Sequence, residues 1–364
     1  MRTISTFMTS LLATANIVVG LLFLLSAYSP YIPPTEHAVY ACLGLAFPIF
    51  LVAVLCFIVI WLLFRPRWIL LPLLFIAIGW QSTTTYYAIG GQQEPEGETI
   101  KLLTFNTQMK AFSLGIDRPD ENAMLRYLKE SDADILCLQE FIAPTERARK
   151  AVDKYLAEKY PYRHHAPLGA GNGLGCYSRY PILSAERIDY KSRVMNGSWM
   201  YRILVRKDTL LLVNNHLETN GMDEQDKEIY NNMLEGEKKG VKTHSKHLLD
   251  KLAQASYVRA AQADAVAEAI RQQGARYTVA CGDFNDSPIS YAHRVIGKGL
   301  NDAFAEAGWG LGITYHQSRM YFRIDHILAS PAIRVVQCEV DRSISVSDHY
   351  PVWCILEKPR QDDL

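Results

Sequence analysis

The chain has 364 residues, 49% of them hydrophobic and 21% charged, and its 38 basic and 38 acidic side chains give a formal net charge of +0. That length is too great for one small domain. The balanced charge argues against a strongly basic nucleic-acid-binding surface, although a local groove can still be positive.

The hydrophobic excess lies before residue 90, in the stretches Met8–Tyr28, Val39–Phe64 and Trp68–Tyr87. Each is near the ~20 residues that cross a bilayer as helix. They predict three transmembrane helices at about 8–28, 39–64 and 68–87. The first stretch also fits a cleaved signal peptide, because Arg2 precedes an apolar run that ends in small residues near Ser26 and Ala27. The other two would then remain as a hairpin in the membrane. The third is the weakest, since Gln81 to Thr85 is polar. Arg65 and Arg67 lie between the second and third stretches, Arg2 precedes the first, and the loop from Ser29 to Ala38 has no basic residue. Basic loops stay in the cytoplasm. Everything beyond about residue 90 is therefore expected on the far side, periplasmic or extracellular in a bacterium, with the lipid bilayer as a partner and no protein partner evident.

The polar, glycine-containing run Gly90 to Glu98 marks a boundary. It divides a membrane region, 1–90, from a linker, 91–98, and a large domain, 99–360. In that domain apolar runs of strand length alternate with amphipathic stretches. The runs Ile100–Asn106, Ile135–Gln139, Leu174–Ser178, Met200–Val205, Thr209–Asn215, Tyr277–Cys281, Ile324–Leu328 and Val352–Leu356 predict strands. Ala123–Ser131, Thr145–Lys159 and Leu249–Gln273 predict helices. Such a mixture suits one α/β or α+β domain with a sizeable core. The charged segment Glu218–Lys246 reads as a solvated insertion or helical excursion in preference to a substrate lid. Cys137, Cys176, Cys281, Cys338 and Cys354 sit inside apolar runs and read as small core residues, with no spacing that suggests a metal knuckle or disulfide framework.

Five runs end in a carboxylate, an amide or an imidazole: Leu102–Asn106, Asp134–Glu140, Asn214–Leu217, Gly282–Asn285 and Ser347–His349. Strand ends gathered in this way would place such groups around one cleft. Glu140 and Asn106 offer oxygens of the kind a hard divalent cation prefers. Asp283 and Asn285 alternate, so an extended chain would turn both to one side with Phe284 buried between them. The carboxylate could orient or deprotonate water while the amide binds a phosphate oxygen. His216 and His349 could stabilise a phosphorane oxyanion, and Asp325 could fix the tautomer of either imidazole. His326 alternates away from Asp325 and reads as a core or second-layer residue, and His164 and His165 have no acidic partner evident in the sequence.

Residues ~100 to ~358 resemble the endonuclease/exonuclease/phosphatase superfamily, which includes deoxyribonuclease I-like nucleases, inositol-polyphosphate phosphatases and neutral sphingomyelinases. Besides the five motifs, Ser178-Arg179-Tyr180-Pro181 resembles the family's Ser-Arg-x-Pro strand exit, and Arg323-Ile324-Asp325-His326-Ile327 its Arg-Ile-Asp-x-Ile strand. The resemblance implies a four-layer α/β sandwich, two packed β-sheets flanked by helices. It implies a cut at phosphorus that depends on Mg²⁺, with Mn²⁺ as the alternative ion. By the same resemblance Glu140 is the principal metal ligand with Asn106 beside it, and Asp348 is a metal or water ligand. Asp283 and Asn285 orient the nucleophile, His216 contacts phosphate, and His349 pairs with Asp325. Either His349 or Asp283 serves as base. The expected function is a membrane-anchored phosphodiesterase or nuclease whose substrate is nucleic acid or a phospholipid head group. A phosphomonoesterase, a sphingomyelinase-like lipid phosphodiesterase and a catalytically inactive membrane binding module are the alternatives.

Overall fold

The computed structural model describes residues 6–112, 118–169, 172–192, 196–236 and 240–358. Arg2, residues 237–239 of the charged segment and residues 359–360 at the end of the large domain lie outside the described residues.

The chain begins with α1 (Thr6–Ala27), α2 (Pro34–Ala41), α3 (Phe47–Phe64), α4 (Leu70–Ile78) and α5 (Trp80–Tyr86). Two helical stretches, Thr6–Ala27 and Pro34–Phe64, are long and apolar enough to cross a membrane, and the bent pair Pro66–Ile78 and Trp80–Tyr86 makes a third if it is one span. The second and third predicted helices are both interrupted. A 3₁₀ turn over Cys42–Ala46 separates α2 from α3, and the third stretch bends by 72° at Gly79. The bend falls at a close approach: a Cβ on Gly79 would lie 2.5 Å from the Phe23 ring, so α1 occupies the place of a side chain there. Beyond the bend, the Thr83 and Thr84 hydroxyls donate back to the carbonyls of Gly79 and Trp80, which satisfies these polar groups within the helix.

The remaining elements are β1 (Ala88–Ile89), β2 (Thr99–Asn106), α6 (Ala123–Glu130), β3 (Ile135–Gln139), α7 (Glu146–Ala157), β4 (Tyr162–Gly169), β5 (Asn172–Ser178) and β6 (Ile182–Ile188). They continue through β7 (Gly197–Val205), β8 (Asp208–His216), α8 (Glu224–Leu234), α9 (Val241–Gln273), β9 (Thr278–Asp283), α10 (Tyr291–Ile296) and β10 (Asn301–Asp302). The chain closes with α11 (Ala303–Ala307), β11 (Trp309–Gly310), β12 (Asp325–Ala329), β13 (Arg334–Val340) and β14 (Val352–Glu357). Two six-stranded sheets form, ordered β13-β14-β2-β3-β5-β4 and β10-β12-β9-β8-β7-β6. Their inner faces share a core that includes Leu102, Cys137, Cys176, Tyr201, Leu212 and Cys281. Helices α6 and α7 cover the outside of the first sheet, and α9 and α10 that of the second. This is the four-layer sandwich expected.

Each sheet contains a parallel pair, β2 with β3 and β8 with β9, in which Asn106 faces Gln139 and His216 faces Asp283. Parallel pairing brings strand C-termini to the same end. The antiparallel neighbours β12 and β14 contribute their beginnings there, so Asp325 lies opposite Asp283, and His349 enters just before Val352. Gln139 and Asn214 staple the two sheets beneath this end, side chain to side chain at 2.6 Å.

Among strands longer than two residues, those that the apolar runs did not reveal, β4, β6 and β13, are all edge strands. One flank of an edge strand is unpaired, and these three carry the charged or half-exposed residues that such a position admits. The segment 218–246 contains α8 and the start of α9, a helical excursion as favoured. Asp223 and Asp226 cap α8 reciprocally. His165 has an acidic partner after all: its Nε2 lies 2.8 Å from Asp153, a buried residue that packing of α7 brings to β4.

Candidate active site

The five motifs meet at one end of the sandwich around the carboxylate of Asp283, which is 1% exposed. From the first sheet, the Asn106 amide donates to Asp283 Oδ2 at 2.9 Å and to Glu140 Oε1 at 3.2 Å. Asn106 Oδ1 accepts from the Gln108 backbone at 3.0 Å, which fixes the amide's orientation. Glu140 follows the last residue of β3 at φ +50°, a turn that swings it out of the ladder.

From the second sheet, His216 Nε2 lies 3.9 Å from Asp283 Oδ2 and 3.8 Å from Glu140 Oε1. Both separations are too long for a hydrogen bond. His349 Nε2 is 3.8 Å from the same Asp283 oxygen, while its Nδ1 is bonded to Asp325 at 2.7 Å. Two imidazole nitrogens thus face one carboxylate oxygen across gaps of a size that a water, able to donate to the carboxylate, would bridge. His216 Nδ1 is buried, with no hydrogen-bond partner among the described residues.

Asn285 is not on an extended chain. The strand ends at Asp283, and φ is +52° at Asn285, so the backbone folds back. The outcome still pairs the two side chains: the Asn285 N–H donates to Asp283 Oδ1 at 2.8 Å and its amide to Oδ2 at 3.3 Å. Phe284 is buried between them as expected. Gly282 permits the approach of β9 to β8, since a Cβ there would sit 2.1 Å from the Asn215 carbonyl oxygen at φ +124°. His326 turns to the other side of β12 and meets the Asp286 carbonyl at 2.9 Å.

Several supporting residues escaped the sequence reading. Thr314 Oγ1 accepts from the backbone N–H groups of Ile324 and Asp325 and so sets the start of β12. Ser347 donates to the Asn106 carbonyl at 2.8 Å and accepts from the His349 N–H at 3.2 Å, tying the Ser-Asp-His run to β2. Arg259, buried on α9, grips Asp286 at 3.0 Å, the Asn220 amide oxygen at 3.1 Å and the Glu218 carbonyl. Ser347 could have been found from its place in the motif. Thr314 and Arg259 carry no local signal, because only tertiary packing brings them near.

Burial raises the Asp283 carboxyl above its ordinary range, and Asp325 adds to this, while His349, His216 and the Asn106 hydrogen bond oppose it. Burial likewise raises Asp348, against the pull of His349 and with a further push from Glu140. For His349, burial disfavours the imidazolium, but the carboxylates of Asp325, Asp283 and Asp348 outweigh it and raise the pKa to about 10. The set comprises four carboxyls, Glu140, Asp283, Asp325 and Asp348, beside two imidazoles. Oxygen donors in this excess fit a hard divalent cation, and the ligand atoms of Asp283, Asp325 and His349 lie within 4.8 Å of one another.

The sign of the His349 shift gives a measurable consequence. An unfolded histidine titrates near ~6.5, so the stabilisation from its charged form is fully present below that pH and is lost as pH rises through about 10. In EDTA, the unfolding midpoint of the full chain is expected to fall across that window, and Asp325→Asn is expected to flatten the fall. Parallel curves for the two proteins would detach Asp325 from the histidine's charge.

No curated protein matches the chain in sequence. Among solved structures, an endonuclease/exonuclease/phosphatase from Bacteroides vulgatus superposes with a TM-score of 0.50 at 16% identity, covering 72% of this chain and 100% of that one. One from Beutenbergia cavernae superposes with a TM-score of 0.50 at 16% identity, covering 71% and 72%. At such identity the likeness shows the fold alone. Residues 9–86 match the model of a domain of unknown function. Residues 103–349 match the endonuclease/exonuclease/phosphatase family model, more than half of the chain. The chain belongs to the endonuclease/exonuclease/phosphatase family, whose members are metal-dependent hydrolases of phosphoester bonds.

Proposed function

We propose that the chain is a membrane-anchored, Mg²⁺-dependent phosphodiesterase, of nuclease or lipid head-group type, working outside the cytoplasm. The observation that carries this reading is the pair of imidazole Nε2 atoms, from His216 and His349, facing one oxygen of Asp283 at 3.9 and 3.8 Å. In the proposed division of the chain, residues 1–90 hold the membrane region, 91–98 the link and 99–360 the catalytic domain.

A bound Mg²⁺ would supply charge to the phosphoryl oxygens, and Glu140, with Asn106 and Asp348 beside it, is proposed to hold it. His349 is charged at neutral pH, so it acts as a donor to the phosphoryl group or leaving oxygen. Its Asp325 partner keeps Nε2 aimed outward. Asp283, with a raised pKa and both oxygens engaged by amide donors, is suited to orient an attacking water and accept its proton. His216, whose Nε2 has no hydrogen-bond partner among the described residues, would donate to a phosphoryl oxygen. Asn285 fixes Asp283 and lies at the same surface.

The orientation rests on the helices and their charges. Tyr28 donates to the Ile78 carbonyl and Ser82 to the Ala27 carbonyl, so the end of α1 and the end of α4 lie together, beside the catalytic domain. Arg65 and Arg67 follow the opposite end of α3. Three crossings with a cytoplasmic Arg65–Arg67 loop fit this arrangement.

The direct test is hydrolysis by the purified full chain of plasmid DNA, RNA, sphingomyelin, phosphatidylinositides, a bis-aryl phosphate and an aryl phosphate monoester, with Mg²⁺ and with EDTA. Cleavage of a diester that EDTA abolishes is expected; turnover of the monoester alone would make the chain a phosphomonoesterase. Glu140→Gln is expected to weaken the Mg²⁺ titration and cut turnover ~10²-fold or more. An unchanged rate and titration would remove Glu140 from the site. For topology, an alkaline phosphatase fused after residue 95 should be active and a green fluorescent protein fused there dark, and the reverse pattern would put the catalytic domain in the cytoplasm.

A further inference from the structure

The chain does not leave its N-terminal helices on a free tether. Immediately after α5, β1 pairs with β11 in a two-stranded ribbon, Ala88 opposite Gly310 and Ile89 opposite Trp309. The pleat divides the pair by face. Ala88 is fully buried against the domain, whereas Ile89 is 51% and Trp309 71% exposed. Tyr87, 41% exposed, meets the Trp309 ring edge-on at 6.5 Å, and Leu311, 42% exposed, follows the ribbon. Single exposed apolar residues are ordinary, but a contiguous group of this kind marks a contact surface.

We propose that this ribbon is a lipid-contacting surface, with Ile89, Trp309, Tyr87 and Leu311 in the head-group region of the bilayer that holds the N-terminal helices, and that it sets the active site at the height of a phosphoester borne by a membrane lipid. The inference rests on the membrane reading given above.

Three observations select a bilayer as the occupant. The surface is continuous with the membrane region, because Tyr87 directly follows α5. Its composition is that of an interface, where Trp and Tyr place apolar rings toward the acyl chains and polar edges toward water. It is also rigidly placed: a Cβ on Gly90 would lie 2.2 Å from the Glu306 carbonyl oxygen, so the strand leaving the ribbon is pressed onto α11.

The same region leads directly to the reacting groups. Leu311 and Tyr315 are four residues apart, at most ~14 Å of extended chain, and the Tyr315 ring packs 5.2 Å from that of His349. Arg323, two residues before Asp325, donates to the Thr85 carbonyl of α5. On the other flank, a Cβ on Gly44, between α2 and α3, would lie 2.0 Å from the Ile289 carbonyl oxygen, four residues beyond Asn285. The catalytic strand ends are therefore braced on both sides by residues at the membrane boundary. A substrate phosphate held in a lipid head group can reach them without leaving the bilayer.

The test places the full chain in phosphatidylcholine vesicles, with or without bromine on the acyl carbons nearest the glycerol. The chain has 6 Trp, so Trp309 emission is taken as the difference between the wild type and Trp309→Phe. Quenching of that difference by the brominated lipid is expected. An unquenched Trp309, whether it faces water or is covered by a second copy of the chain, overturns the proposal.

A second arm compares two esters with one scissile bond, methyl p-nitrophenyl phosphate, which stays in water, and hexadecyl p-nitrophenyl phosphate, which enters the vesicle. Trp309→Gln and Ile89→Glu are expected to raise KM for the hexadecyl ester about tenfold, because polar or charged groups resist the interface, and to leave kcat/KM for the methyl ester within about twofold. Equal losses on both esters would make the ribbon a folding element and overturn the proposal. If neither ester is cleaved while Trp309 is quenched, the phosphodiesterase reading fails and the lipid-contacting surface stands.

Discussion

A buried carboxylate is the constraint around which this domain is arranged. Asp283 lies almost entirely out of water, and an isolated charge so placed costs several kcal/mol. It is offset by groups that neither sheet could provide alone. Asn106 and His349 approach it from the first sheet and its β13–β14 connection, and His216 and Asn285 from the second sheet and the turn after β9. The parallel pairing of β2 with β3 and of β8 with β9 points the relevant strand ends in one direction, and the Gln139–Asn214 bond holds the sheets in register below them. Fold and candidate site are one problem here, because separating the sheets would strand a charge.

The apolar N-terminal helices are joined to that arrangement in several places. The supposed linker is strapped along the sandwich: the Gln93 N–H donates to the Val336 carbonyl at 2.9 Å, and Glu96 N–H to Glu357 at 2.7 Å. Arg323 connects α5 to the strand that begins with Asp325, and Gly44 abuts the turn after Asn285. On the proposed membrane reading, a flexible anchor would only raise the local concentration of the enzyme at the bilayer. A braced one also sets the orientation of the cleft, and orientation lowers the entropic cost of meeting a substrate confined to two dimensions.

What could be read from the sequence followed burial. The interior strands β2, β3, β8 and β9 are nearly continuous apolar runs with polar ends, so their existence and the groups they present were visible. The edge strands β4 and β6 are largely half-exposed, and β13, though buried at Val335, Val336, Cys338 and Val340, is interrupted by Arg334, Gln337 and Glu339, so their mixed composition resembles that of loops. Alternation placed Asp283 and Asn285 on one side of a strand, yet the real pairing comes from a left-handed turn at Asn285 that brings its backbone N–H to the carboxylate. His165 looked partnerless because Asp153 is supplied by α7, packed against β4. The break in the third apolar stretch was foreshadowed by its polar second half, but it falls at Gly79, where the Phe23 ring of another helix approaches closely.

The central claim is that Asp283 is the working carboxylate of a single site built by both sheets, and Asp283→Asn tests it most directly. The substitution keeps the shape and most hydrogen bonds while removing the charge. The account expects the full chain carrying it to stay folded, because Asp325 still holds His349, and to lose ~10³-fold or more of kcat on a bis-aryl phosphate with Mg²⁺. A variant that melts as the wild type does and retains kcat within about tenfold would contradict it, and would assign the chemistry to groups other than the carboxylate on which the two sheets converge.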